Sequence, residues 1–496
     1  METLRLKNYR CFDDTGDIKI KPITILVGAN SSGKSSFLKF FPLLKQSEGI
    51  KKEGTFLWYS EDVDFKNFRN TVKDGKGDIV VDMGIKFNDH VSPGDKAFTK
   101  FLEESHSVYT GELVHVEMTI SKYKANADYL ECLKFSYLDQ ECVIHFANKK
   151  VKSIIINGEE MPIGDNCRFI TTSHLIPHID FRPEHAPKTP TIHRNPLMPI
   201  VLSEFHNYNE TIDNNIVEYI YDRAFYLLKK EVFNRYVAKE LKIEPIDNKL
   251  NNLYILFNLN ELMDVTNYRL ASDAMMMSYV RPLRIMPDRY YRFQNYSIDE
   301  ISPDGKNLAM YFANLSDEEL RKFNEWTSNN FQFTIKLNKS EGHVEIEIME
   351  RGKQSHNMVD TGFGYNQLLP ILAIIWNAQN RKSRRFFYGI DDVIKFIVIE
   401  QPELHLHPRV MSKFAEMLCS VIGGQKDGED IRFIIETHSD TLINKFGSLI
   451  SSSKVPADQI NVVLFNAKEE GMDNYVEQVS YDEFGYIQNW PLGFFS

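Results

Sequence analysis

At 496 residues the chain is long for one domain and suits two or three lobes, with 43% hydrophobic and 12% aromatic residues to fill their cores. A net charge of −11 speaks against a surface that coats nucleic acid throughout, while leaving room for a local basic groove. Five scattered cysteines (Cys11, Cys132, Cys142, Cys167 and Cys419) make no CxxC pair, Met1-Glu2-Thr3 opens no signal-peptide core, and the longest apolar run, Leu368 to Trp376, is broken by Pro370. A reducing, cytoplasmic setting without a membrane span is therefore expected.

Leu4 and Leu6 followed by Asn8-Tyr9-Arg10-Cys11-Phe12 read as a first strand and its turn, and Asp17 to Ile20 as a second. Ile23 to Val27 is a β-branched apolar run, the mark of a buried strand. It leads into Gly28-Ala29-Asn30-Ser31-Ser32-Gly33-Lys34-Ser35, which fits the P-loop pattern G-x-x-x-x-G-K-[ST], and Ser36 onward reads as helix. A glycine- and serine-rich turn can match so short a pattern by accident, but the strand before it and the helix after it favour a phosphate cradle. There backbone N–H groups line the β-phosphate, Lys34 reaches the β- and γ-phosphates of ATP, and the Ser35 hydroxyl ligates Mg²⁺.

From Asp78 to Phe169 the hydrophobic period falls to two, as in Ile79 to Ile85, Val114 to Ile120 and Val143 to Phe146, which predicts antiparallel sheet with one solvated face. Residues 176–205 are rich in Pro and His (Pro177, His178, Pro183, His185, His193) at a spacing that fits no metal template, so a solvated loop is expected. Helical spacing from Ile212 to Tyr236 predicts a helical insertion. Met275-Met276-Met277 reads as core. Arg281, Arg284 and Arg289 fit either phosphate contacts or internal ion pairs, and Arg381-Lys382-Ser383-Arg384-Arg385 either a basic patch or a solvated connector.

Phe396 to Ile399 is a further apolar strand, and its tip carries Glu400-Gln401-Pro402-Glu403. A carboxylate at a strand tip beside a P-loop is where a Walker B acid holds Mg²⁺ through water, and Glu400 takes that role. Ile431 to Ile435 ends in Glu436-Thr437-His438-Ser439, which puts His438 at another strand tip as a candidate sensor of the γ-phosphate. Asp360-Thr361-Gly362-Phe363-Gly364-Tyr365-Asn366-Gln367 is a glycine-bearing turn opening an apolar helix, a second anion-binding element. One subunit needs only one phosphate cradle; two facing subunits can each lend this turn to the other's ATP.

Taken together, these motifs resemble the ABC-type ATPases of the SMC, Rad50 and RecF group. More narrowly they resemble the prokaryotic branch that holds the ATPase halves of OLD nucleases and the Septu phage-defence (PtuA-type) ATPases. Leu4 to Gln46 looks like that branch's opening, Asp360 to Leu369 like its degenerate signature, Glu400 to Pro408 like its Walker B and D-loop stretch, and Glu436 to Asp440 like its switch histidine. Trp490 to Phe495 looks like its close. The resemblance implies an α/β ABC-type P-loop head with an antiparallel β subdomain and a helical insertion. On this reading residues 1–175 form the N-terminal ATPase segment, 176–275 the insertion and 276–496 the C-terminal ATPase segment.

It also implies Mg²⁺–ATP on Gly28, Asn30, Ser31, Ser32, Gly33, Lys34, Ser35 and Ser36, capped by Gly362, Gly364, Asn366 and Gln367 of a second copy, with metal held by Ser35 and Glu400. Asn366 stands where the family typically has Ser. Gln401 stands where it usually has a water-activating glutamate, leaving Glu403 or His438 to help. The glutamine is compatible with a slow native enzyme, an engineered ATP trap, or an ATP-gated clamp. The implied partners are a second copy through the ATPase heads, in a dimer or a higher oligomer, and a separate nuclease or toxin effector, with DNA as a candidate ligand. The stretch after His438 is too short for a Toprim nuclease domain. The expected role is prokaryotic anti-phage defence; the competing readings are a silent ATP-bound scaffold, a RecF- or Rad50-type repair ATPase, and a transporter subunit.

Overall fold

A computed structural model describes residues 1–86, 113–123, 127–137, 140–147, 150–161, 168–170, 173–180, 248–284, 286–292, 300–340, 342–380, 393–425, 429–466 and 476–490. The helical pattern of 212–236, the Pro/His stretch beyond Asp180, the basic run 381–385, Cys167 and the final 491–496 lie outside the described residues. The chain divides into two compact units. One comprises residues 1–17, 43–275 and 384–392, and the other 18–42, 276–383 and 393–496.

The first unit is built on antiparallel sheet. Strands Thr3–Tyr9, Ile79–Lys86, Leu113–Lys122, Asp128–Tyr137, Gln140–Ala147 and Lys150–Ile156 follow one another as hydrogen-bonded neighbours. Val114, Val116, Met118 and Ile120 are buried and alternate with half-buried polar residues, the period-two pattern read from the sequence. Asp128 anchors this unit's interior, accepting from the Trp58 indole N–H at 2.8 Å and the Thr55 backbone N–H at 2.7 Å. Helix Asn248–Met275 closes the 43–275 segment of the unit. Of the three methionines there, Met276 and Met277 are buried, but Met275 is half-exposed at the helix's end, where the expected core stops one residue short.

The second unit holds a six-stranded sheet in the order Ser278–Val280, Ile394–Glu400, Asp430–Glu436, Ile23–Gly28, Ile460–Phe465, Val476–Val479. The first five are parallel and the last is antiparallel. Strands Ile23–Gly28, Ile394–Glu400 and Ile460–Phe465 are buried at every position, which is why apolar residues dominate them: helices cover both faces of a parallel sheet. Helices Phe363–Asn380, Pro408–Gly423 and Asp440–Ser451 share a core with the face that carries Ile25, Ile399 and Ile435, while Phe37 of the P-loop helix meets Phe465. Each large apolar side chain buried here contributes roughly 1.5–3 kcal/mol, so the sheet is a stiff platform for the loops at its carboxyl end. A smaller antiparallel sheet, Phe333–Ser340 against His343–Glu350, belongs to the same unit. The fold is thus the expected α/β class with an added antiparallel sheet.

Candidate functional site

Gly28, Glu400 and Glu436 end three parallel strands, and their loops open on the same edge of the sheet. In such sheets ligands bind outside the carboxyl ends of the strands. The turn after Gly28 demands glycine twice. At Gly28, φ is +155° and a Cβ would stand 2.2 Å from the Phe465 carbonyl oxygen; at Gly33, φ is +106° on entry to helix Lys34–Leu38. Asn30 and Ser31 are exposed at the loop's tip and Ser36 is half-buried, whereas Ser32 is buried with a hydroxyl that has no hydrogen-bond partner. The Lys34 ammonium folds over the loop and donates to the carbonyls of Gly28 (2.9 Å) and Ala29 (2.7 Å). Burial pushes its pKa down, with Glu436 pulling the other way.

The Ser35 hydroxyl donates to Glu436 Oε1 at 2.8 Å. In the sequence Glu436 is only the residue before Thr437 and His438, and the expected metal ligands are Ser35 and Glu400. The fold, however, lays the Glu436 strand directly beside the P-loop strand, with the Glu400 strand one place further out. Glu400 and Glu436 are register partners on adjacent strands. Glu400 Oε1 accepts from the Tyr279 hydroxyl at 2.5 Å and lies 3.6 Å from the Lys39 ammonium. Burial raises the Glu436 pKa, and the neighbouring Glu400 charge adds to the rise. Its second oxygen, Oε2, is buried without a hydrogen-bond partner. A hydroxyl and two carboxylates are the hard oxygen donors that Mg²⁺ takes, and an orphaned buried carboxylate oxygen is what a cation would satisfy, so these residues fit the ion the P-loop implies.

Gln401 has φ +43°, a left-handed conformation rare outside glycine, held by its own N–H bonding to the Glu436 carbonyl at 2.8 Å. Glu403 is committed elsewhere, accepting from the Thr437 hydroxyl (2.8 Å) and the His438 N–H (2.7 Å), so it fixes the turn that carries His438. Burial and then the Lys34 charge lower the His438 pKa, which keeps the imidazole neutral near pH 7.

The turn at 360–367 divides in two. Gly362 is exposed and Gly364 half-buried, but Asn366 and Gln367 are buried. Arg284, also buried, donates to Gln367 Oε1 at 3.0 Å and to the Glu400 carbonyl at 3.3 Å, tying this turn to the Glu400 strand. Burial drops its pKa to about 10. Arg289 makes a two-pronged pair with Asp360, at 2.6 and 3.0 Å. Arg289 thus makes the internal ion pair open to it in the sequence, whereas Arg284 is held by an amide oxygen and a carbonyl. Arg284 is the residue whose importance the sequence signalled least, a loop arginine among several.

The chain matches the family model described as the AAA ATPase domain over residues 1–443, and so belongs to that family. It is therefore an ATPase-family protein, and nucleotide binding is the property that family carries. Among solved structures it is similar to the Smc head domain with an extended coiled coil bound to the C-terminal domain of ScpA from Pyrococcus furiosus, at 13% identity over 97% of this chain and 96% of that one, TM-score 0.36. It is similar too to the SmcHead bound to the C-winged helix domain of ScpA (12%, 97% and 98%, 0.37) and to the SMC head domain from Thermotoga maritima (10%, 97% and 98%, 0.34). No match was found among functionally curated proteins. No helix among the described residues is long and apolar enough to cross a membrane.

Proposed function

We propose that this chain is an ABC-type ATPase that binds Mg²⁺–ATP on the loop Gly28 to Ser36, hydrolyses it slowly, and uses head-to-head closure of two copies to gate a separate effector. The observation that carries the reading is the convergence of Lys34, Ser35, Glu400, Glu436 and the Glu403-held turn of His438 at one sheet edge. Mg²⁺ would neutralise the phosphates and be held by Ser35 and the strand-tip carboxylates. Lys34 would trade two neutral carbonyls for the β- and γ-phosphates, an exchange into charge-assisted bonds that favours the bound state. His438, neutral and seated by Glu403, can donate to a γ-phosphate oxygen or orient water, but it is poorly placed electrostatically to be cationic beside Lys34. Gln401 can accept a hydrogen bond from the attacking water and cannot take its proton, which makes turnover slow.

With Gln367 committed to Arg284, the outward part of the signature turn is Gly362 to Gly364, and we assign the capping of the partner's nucleotide to that backbone. The effector is a nuclease or toxin encoded separately, in prokaryotic anti-phage defence of the OLD and Septu kind, and DNA is a candidate ligand of the closed dimer. Gln401 favours one second reading, a clamp held in its ATP-bound state. ATP hydrolysis by the purified chain and its Gln401→Glu variant tests both. A glutamate base is worth about 10²- to 10⁴-fold, so the variant should turn over at least tenfold faster than a slow parent. A silent parent with an active variant supports the clamp, and silence in both defeats the hydrolytic assignment.

A further inference from the structure

Among the described residues, Glu436 is the acid whose side chain hydrogen-bonds to the P-loop. Its Oε1 takes the Ser35 hydroxyl at 2.8 Å, while its Oε2 is buried and unbonded in a residue only 2% exposed. Leaving a carboxylate oxygen in that state is costly unless something positive completes it. The Lys34 ammonium, whose charge acts on Glu436, directs its hydrogen bonds to the Gly28 and Ala29 carbonyls. Lys39 lies by Glu400, the register partner of Glu436 one strand away, and Glu400 is further tied to Tyr279. The two carboxylates therefore have unequal situations. Glu400 is already provided with a hydroxyl donor and an ammonium, and Glu436 keeps an oxygen in reserve next to the serine that a nucleotide-bound cation requires.

We propose that Glu436 is a direct ligand of the divalent cation that accompanies the nucleotide, through Oε2 and beside Ser35, and that Glu400 supports the ion from the next strand. This rests on the nucleotide-binding reading above and changes which acid carries the metal. It follows that the cation's share of nucleotide affinity depends more on Glu436 than on Glu400.

The test is titration of a fluorescent ATP analogue against the full chain in Mg²⁺ and in EDTA, for the parent, Glu436→Gln and Glu400→Gln, with Mn²⁺ replacing Mg²⁺ in a parallel electron paramagnetic resonance count of bound ion. In Glu436→Gln, affinity in EDTA should hold or rise, since a negative charge near the phosphates is gone. The gain conferred by Mg²⁺ should fall by about 10- to 100-fold, and bound Mn²⁺ with it. Should that variant fail to fold, Glu436→Asp withdraws the oxygens by one methylene and is expected to lose the same gain in part. A full Mg²⁺ gain in Glu436→Gln, or an equal loss with and without Mg²⁺, overturns the assignment. A parent that binds no nucleotide in either buffer defeats the ATPase reading itself, an outcome distinct from both.

Discussion

Lys34 shows how a single side chain is held ready. Its ammonium is buried and satisfied by two loop carbonyls, so binding does not have to fold a free lysine into place; it exchanges one set of acceptors for another. Hydrogen bonds to a charged group are worth about 1.5–3 kcal/mol each, and Lys34→Ala should lower ATP affinity by about 100-fold or more in a fluorescent-nucleotide titration. Unchanged affinity would remove the P-loop assignment. Gln401 is the second residue of this kind. Its left-handed φ of +43° costs on the order of 1 kcal/mol, kept because the N–H is pinned to the Glu436 carbonyl. The Gln401→Glu replacement therefore alters the chemistry of the side chain and leaves the backbone geometry to the same bond.

Among the elements, the antiparallel sheet of the first unit carries its own pH dependence. His115 on strand Leu113–Lys122 sits across from Gly84, and its Nδ1 is 3.2 Å from Asp82 Oδ1 on strand Ile79–Lys86. The hydrogen bond to Asp82 raises the histidine pKa above its ordinary value of about 6.5. The folded state therefore binds the proton more tightly than the unfolded chain. The stabilisation is complete below about pH 6.5 and is lost as pH rises through the folded-state pKa. A screened, half-exposed pair is worth at most about 1 kcal/mol, so the expected signal is a small one. Thermal melts at pH 5.5 and 8.5 should show an acid-side gain in the parent that Asp82→Asn flattens; equal pH dependence in the two proteins would refute it.

At the scale of the molecule, the second unit, which carries the proposed nucleotide site, is assembled from three distant parts of the chain, residues 18–42, 276–383 and 393–496. Strand Ile23–Gly28 pairs with Asp430–Glu436 and Ile460–Phe465, so the core sheet closes only after more than four hundred residues are in place, a contact pattern that folds slowly. The proposed closure of two copies turns on the outward half of the signature turn. A Cβ at Gly364 would stand 3.9 Å from the His405 carbonyl oxygen, an ordinary van der Waals contact, so a side chain there is accommodated within one copy. Gly364→Asp should fold and bind ATP like the parent while adding a negative charge where the partner's phosphates would arrive. Sedimentation with ATP should show dimer for the parent and monomer for the variant. A normal ATP-dependent dimer in the variant would refute cross-subunit capping.

Local chemistry is legible in the sequence by itself. The P-loop spacing, the apolar strands running into Glu400 and Glu436, and the period-two stretch from Ile79 to Phe146 are all written in consecutive residues, because each depends on local backbone needs or on a face buried along one element. The order of the strands is written nowhere in consecutive residues. Side-by-side placement of Ile23–Gly28 and Asp430–Glu436 is a decision of packing between segments four hundred residues apart, and it alone puts Glu436, rather than Glu400, on the Ser35 hydroxyl. The same holds for Arg284. Its guanidinium reads as an ordinary loop charge in the sequence, and only burial between the Gln367 turn and the Glu400 strand makes it the link that joins them.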